Sequence, residues 1–148
     1  MYNLKEELQK EERLSGGHRM CAGCGSPVAV RTILRALEPE DRAVVCSATS
    51  CLEVSTFIYP YTAWKDSFIH NAFENAAAMT GGVETAYRVL KKRGKIDENF
   101  KFICFGGDGG TYDIKSGLKI ENLWITSVAT SNLHEKLVGN DKRGMAAY

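Results

Sequence analysis

The sequence predicts an α/β fold built on a parallel sheet, and three observations carry that prediction. Residues 43–46 and 101–105 are short apolar runs of the kind that form buried strands. Between them, residues 71–92 hold a long helical pattern, in which Val83, Ala86, Tyr87 and Leu90 recur at i, i+3, i+4 and i+7. The second run passes straight into Gly106-Gly107-Asp108-Gly109-Gly110. Strand, helix, strand and glycine loop in that order suit a parallel sheet, whose ligands gather at the C-terminal ends of the strands.

In chain order, residues 2–13 read as a polar helix or arm, charged at Lys5, Glu6, Glu7, Lys10, Glu11, Glu12 and Arg13. That charge leaves no room for the apolar centre of a secretory signal. Ser15-Gly16-Gly17 is a flexible break before the first cysteine pair. From Val28, the spacing of Val30, Ile33, Leu34 and Leu37 makes one apolar face of a helix that stops near Pro39. After the strand at 43–46, Thr49-Ser50-Cys51 reads as a loop, which places Cys51 on that loop. Residues 51–64 are rich in aromatics and turn residues without periodicity and read as a packed irregular loop. Its aromatics suit a core or a subunit interface at least as well as a substrate contact.

His70, with Asn71, Glu74 and Asn75 close behind it, could line a polar pocket; the plainer reading is helix capping and a solvated face, with no catalytic role expected of His70. Gly81-Gly82 marks a weak point or a close-packing site in the long helix, whose basic end at 88–95 complements a helix C-terminus. Residues 123–128 read as one further strand, followed by a polar tail with no core face.

Composition excludes several functions. Nineteen basic against eighteen acidic residues leave a net charge of +1, so no basic surface for nucleic acid or anionic membrane is expected. No apolar run approaches the roughly 20 residues of a membrane span. The expected location is the cytoplasm, where disulfides are uncommon and five cysteines point to metal ligation.

Two motifs carry chemistry. In Cys21-Ala22-Gly23-Cys24-Gly25, two thiols three positions apart can reach one metal centre, and Cys51 adds a third from a second segment. A [4Fe-4S] cluster and a zinc site compete on equal terms by spacing; the zinc set is Cys21, Cys24, Cys46 and Cys51, or His18 in place of one thiol. Cys46 and Cys104 are best read as small buried hydrophobes on strands. In Gly107-Asp108-Gly109-Gly110, the glycines allow close approach of a diphosphate and the carboxylate suits Mg2+, although the same residues make a good β-turn. Asp108 interrupts any GxGxxG dinucleotide pattern.

Four ordered blocks, GHRMCAGCG (17–25), TSCLEVSTFIYPYTAW (49–64), IHNAFENAAA (69–78) and FGGDGGTYDI (105–114), resemble the β subunit of pyruvate:ferredoxin oxidoreductase, within the 2-oxoacid:ferredoxin oxidoreductase family. The resemblance implies a thiamine diphosphate-binding fold. It also implies a [4Fe-4S] cluster on Cys21, Cys24 and Cys51, Mg2+ on Asp108, and diphosphate held by Gly107, Asp108, Gly109 and Gly110. The implied reaction is oxidative decarboxylation of a 2-oxoacid, best matched by pyruvate, with coenzyme A as acceptor and electrons passing through the cluster to ferredoxin. Partner subunits of α, γ and δ type are implied with it.

The resemblance ends past residue 114. The family continues with a GLQSLSG-like helix and a DN-x-x-YMNTG segment that completes the Mg2+ site, whereas this chain has Lys115-Ser116-Gly117-Leu118-Lys119-Ile120. Asn132 and Asn140 lie near the expected distance without the family's surrounding residues, and neither is assigned to the metal. The expected organisation is a polar arm at 1–16, a thiamine diphosphate and iron-sulfur region at 17–114, and a divergent tail at 115–148. An apparently truncated fold is expected, from a truncated or frame-disrupted gene, with apolar surface exposed and a tendency to aggregate or dimerise. Two functions are open: an enzyme component completed by its partner subunits, or a non-catalytic fragment or small zinc module held by four cysteines.

Overall fold

The computed structural model describes residues 3–58 and 60–112, together with the strands at 123–127, 137–138 and 146–147. The elements are α1 (Leu4–Glu7), α2 (Ser26–Arg35), β1 (Arg42–Ala48), α3 (Cys51–Thr56), β2 (Phe57–Ile58), β3 (Tyr61–Thr62), β4 (Ser67–Asn71), α4 (Ala76–Lys92), β5 (Phe100–Gly106), α5 (Asp108–Tyr112), β6 (Leu123–Ser127), β7 (Leu137–Val138) and β8 (Ala146–Ala147).

The sheet runs β4-β1-β5-β6-β8-β7. Strands β4, β1, β5 and β6 are mutually parallel, β8 is parallel to β6, and only β7 runs against its neighbour. The expected parallel α/β architecture is therefore present, and β6 matches the strand expected at 123–128. Central β1 is buried on both faces, as a strand flanked by parallel neighbours and helices must be.

Side-chain alternation divides the core in two. Ala43, Val45, Ile103 and Phe105 face α2, packing with Val30, Ile33, Leu34, Leu52 and Trp64. Val44, Cys46, Ala48, Phe102 and Cys104 face α4, packing with Ala76 and Ala77. Each large apolar side chain buried in these layers contributes about 1.5–3 kcal/mol, so truncating central Phe102 or Ile103 to Ala destabilises the sheet by a few kcal/mol.

Several boundaries differ from the sequence reading. Helix α2 begins at Ser26, because Pro27 in the first turn lacks the N–H that a helix start leaves unpaired, and it closes at Ala36 rather than near Pro39. Asn71, expected to start the long helix, instead ends strand β4 (Ser67–Asn71), and the helix opens at Ala76. Its buried stripe is Ala76, Ala77, Thr80, Gly81 and Glu84, with Val83 and Tyr87 packed alongside and Ala86 exposed. Small residues let the helix settle close over the two strand cysteines, so the close-packing reading of Gly81 fits its burial.

The irregular loop expected at 51–64 is instead a helix and a hairpin, α3 followed by antiparallel β2 and β3. In the N-terminal arm only α1 is helical, a single turn. The chain after it is stitched to residues 63–66: Leu14, 1% exposed, bridges Trp64, Ser15 N–H donates to Ala63 O at 2.8 Å, and Arg13 pairs with Asp66 at 2.8 Å. The expected features at Lys115–Ile120, Asn132 and Asn140 lie outside the described residues.

Candidate functional site

The parallel strands β1, β4 and β5 end side by side, and the segments that leave them pack against one another. Thr49, just past β1, donates from both its N–H and its Oγ1 to Asn71 O at the end of β4, at 2.9 and 3.0 Å. A Cβ placed on Gly107 would sit 2.9 Å from Ser50 Cβ and 3.5 Å from Thr49 O. A Cβ on Gly110 would run into the carbonyl oxygen of Phe73. These two glycines are thus required by close backbone packing between the loop and the ends of β1 and β4.

Gly109 differs, because a Cβ there meets nothing within 4 Å. The glycine segment is therefore the passage from β5 into α5 rather than a β-turn. Its first helical bond runs from Thr111 N–H to Gly107 O at 3.0 Å. The amides of Asp108, Gly109 and Gly110 stand ahead of that bond, where a helix start leaves N–H groups without an intrahelical acceptor. Asp108 is exposed beside them. Backbone donors next to an exposed carboxylate are the chemistry a diphosphate and a divalent cation require, so these residues fit that pair of ligands.

The cysteine segment is built differently. Cys24 N–H donates to Cys21 O at 3.1 Å, closing a turn in which Gly23 takes φ +77°, a left-handed conformation suited to glycine. Cys21 is exposed and Cys24 half-buried. Arg19 N–H donates to Ser55 O at 2.7 Å, tying this arm to α3. Cys51 is exposed as the first residue of α3, after Ser50 at the N-cap, and not on a loop as expected. Among the described residues, no three His, Cys, Asp or Glu side chains come together as a metal-holding group. The arm brings Cys21 and Cys24 into one turn but does not gather them with Cys51, so the thiols in this arrangement do not fit a closed cluster site.

Nor does it gather the alternative zinc set. Cys46 packs on the α4 face of the sheet, whereas Leu52, adjacent to Cys51, packs on the opposite face. Burial pushes the Cys46 thiol up, and burial likewise pushes Cys104 up to about 12, with Thr80 opposing the shift in both cases. Protonated thiols on a dry sheet face are core residues, as expected of this pair.

One carboxyl–imidazole pair escaped the sequence reading. Glu53 of α3 is only 1% exposed, and its Oε1 lies 2.6 Å from Nδ1 of His70 on β4, whose side chain is 48% exposed. Burial raises the Glu53 carboxyl, and the neighbouring imidazole pulls it back. Phe57 stacks on the His70 ring, with centroids 5.5 Å apart and planes at 29°. The capping role considered for this stretch is absent where it was expected: Asn75 occupies the N-cap of α4 without a side-chain cap bond. No local pattern links residues 53 and 70, which belong to different elements; only the isolated Glu among the apolar residues after Cys51 hinted at it.

No family model matches the chain. It is 56% identical over 115 residues to the pyruvate synthase subunit PorB of Thermotoga maritima, covering 75% of this chain and 36% of that protein. It is 46% identical over 110 residues to the pyruvate synthase subunit PorB of Methanocaldococcus jannaschii, covering 73% and 36%. It is 32% identical over 107 residues to the ketoisovalerate oxidoreductase subunit VorB of Pyrococcus abyssi, covering 72% and 34%. Over about three quarters of its residues, this chain is homologous to the PorB subunits of pyruvate synthases, and it spans about a third of their length.

Proposed function

We propose that this chain contributes the diphosphate-binding part of a 2-oxoacid:ferredoxin oxidoreductase that acts on pyruvate with coenzyme A. The observation that carries the reading is the glycine segment at the strand ends, where Gly107 and Gly110 are held by backbone packing and the amides beside Asp108 are left for a ligand. Similarity to pyruvate synthase subunits at 56% and 46%, against 32% for a ketoisovalerate oxidoreductase subunit, favours pyruvate over a branched 2-oxoacid.

In this reading Gly107, Asp108, Gly109 and Gly110 hold the diphosphate of thiamine diphosphate, and Asp108 is a ligand of its Mg2+. The bound cofactor supplies the nucleophilic carbon and the electron sink that decarboxylation of a 2-oxoacid requires. The protein's part is to fix the diphosphate against rigid strand ends and to neutralise it with amide dipoles and the cation. Cys21, Cys24 and Cys51 are proposed as ligands of a [4Fe-4S] cluster that serves ferredoxin, gathered only when the metal binds, as in metal sites that assemble with their metal. Partner subunits of α, γ and δ type complete the enzyme, which works in the cytoplasm. Among the described residues no helix is long and apolar enough to cross a membrane.

Anaerobic purification with the partner subunits tests this reading. Pyruvate- and coenzyme A-dependent reduction of a viologen dye is expected, with thiamine diphosphate, iron and sulfide bound. Zinc without sulfide, together with no affinity for thiamine diphosphate in the presence of Mg2+, sinks it.

A further inference from the structure

The cysteine turn has a chemistry of its own in the metal-free chain. Cys24 N–H donates to Cys21 O at 3.1 Å, and Gly23 takes φ +77° inside the turn so closed. A hydrogen-bonded turn brings the Cα atoms at its two ends within about 7 Å, and a disulfide spans roughly 4.4–6.8 Å between Cα atoms. The backbone therefore holds the two thiols at the separation a disulfide uses.

Both flanks of the turn are anchored. On one side Arg19 N–H donates to Ser55 O of α3 at 2.7 Å; on the other, Ala29 N–H donates to Gly25 O at 3.0 Å where α2 begins on buried Ser26 and Pro27. Closing the turn covalently thus asks no movement of the core. A small reagent can also reach it, because Cys21 is exposed, Cys24 is half-buried, and a Cβ on Gly23 between them would meet nothing within 4 Å. Cys46 and Cys104 do not compete, since both are buried on the sheet face beneath α4. Among the described residues no group of three metal-holding side chains forms, so in this state the pair is not committed to a closed metal site.

We propose that Cys21 and Cys24 of the metal-free chain are a redox pair, which closes to a disulfide by exchange with a small-molecule disulfide and so keeps the cysteine arm from taking metal until a dithiol reopens it. In the first step the Cys21 sulfur attacks one sulfur of the reagent, and half of the reagent leaves as a thiol. In the second, the Cys24 sulfur attacks Cys21 in the mixed disulfide and expels the other half as a second thiol. The two cysteines lose two electrons and two protons, and the reagent takes up both. The second step is intramolecular between groups in one turn, which favours closure over a lasting adduct. The effect on metal rests on the assignment of Cys21 and Cys24 as metal ligands above: sulfurs bonded to each other are no longer thiolates, the form that ligates metal.

The test uses the full chain, metal-free, reduced and then treated anaerobically with oxidised glutathione. Trypsin cuts after Arg19 and Arg31, so both cysteines lie in one peptide, 20–31, which should become lighter by two hydrogen atoms. Cys24→Ser should stop at the mixed disulfide, with glutathione held on Cys21. Co2+ serves as the metal probe: the reduced chain should give a thiolate charge-transfer band, the oxidised chain should lose most of it, and dithiothreitol followed by desalting should restore it. A peptide 20–31 that stays at its reduced mass, or that is joined instead to the peptide carrying Cys51, overturns the pair. An oxidised chain that binds Co2+ as well as the reduced one overturns the control over metal. A closed disulfide in a chain that binds no Co2+ even when reduced overturns the metal-ligand reading and leaves the redox pair standing.

Discussion

The glycine segment and the cysteine arm are two motifs of comparable length in the sequence, and they differ in how the fold prepares them. Gly107 and Gly110 are wedged against Ser50 and Phe73, and these contacts set the segment. The cysteine arm is a turn closed by Cys24 and Cys21 and tied to α3 through Arg19 N–H and Ser55 O. Its thiols stay exposed or half-buried, outside any ligand group among the described residues. A diphosphate site can be assembled from amides that the strand ends already hold still. Thiolates from separate segments repel one another when held close, a cost that a bound cation would offset.

The sharpest way to break this contrast is at Gly110. Gly110→Ala places a methyl group against the Phe73 carbonyl, and overpacking against backbone typically costs about 1–3 kcal/mol or more. A lower melting temperature together with lost thiamine diphosphate binding is expected, measured by thermal melts and by cofactor titration. An unchanged melt means the segment is not preformed by packing. Next in size, Asp108→Asn should weaken Mg2+-dependent cofactor binding by tenfold or more and leave the melt in place, because Asp108 is exposed. Equal binding by Asn and Asp would remove Asp108 from the cation.

At the cysteine arm the expectation reverses: Cys21→Ser should leave the cofactor-free melt within about 0.5 kcal/mol, since the side chain is exposed, while iron and sulfide content falls. Thiol labelling of the metal-free chain sharpens the same point. Cys21 and Cys24 should alkylate at pH 8, and Cys46 and Cys104 should resist until the chain unfolds. The buried pair also carries a pH signature. Cys104 is raised from 9.0 to about 12, so the folded chain keeps this thiol protonated where the unfolded chain ionises it. Its contribution is fully present below pH 9 and is lost as the pH rises from about 9 towards 12. A native chain in which Cys46 and Cys104 label as fast as Cys21 and Cys24 would contradict the core placement of the buried pair.

What was legible in the sequence follows from the same division between local and distant causes. Strands β1 and β5 could be read because their apolar runs are long enough to signal burial on both faces, and α2 could be read because Val30, Ile33 and Leu34 mark its face. Strand β4 was hidden: Ser67–Asn71 mixes polar and apolar residues, and its partner β1 lies on one side only. The helix at Cys51–Thr56 is too short for periodicity to show, and its start depends on Ser50, whose side chain accepts from Glu53 N–H at 3.4 Å. The glycine segment was legible as the passage out of a strand, but which glycines serve packing and which face open space depends on Ser50 and Phe73, far away in sequence. The Glu53–His70 pair depends on α3 lying against β4, a contact that no spacing rule encodes.

The smallest expected effect separates the two duties within the glycine segment itself. Gly109 lies in the first turn of α5, and a Cβ there meets open space. Replacing a helical glycine by alanine without a clash reduces the freedom of the unfolded chain, so Gly109→Ala should stabilise the chain by about 0.4–1 kcal/mol. The open space on that side is where a diphosphate held by the neighbouring amides would lie, and the added methyl group would meet it. Stability and cofactor affinity should therefore move in opposite directions, a rise in the melt paired with weaker thiamine diphosphate binding. A structural glycine loses both, as expected of Gly110, and a bystander loses neither. If Gly109→Ala binds thiamine diphosphate as tightly as the wild type, the diphosphate does not approach Gly109, and the reading of the segment as its cradle contracts to the amides of Asp108 and Gly110.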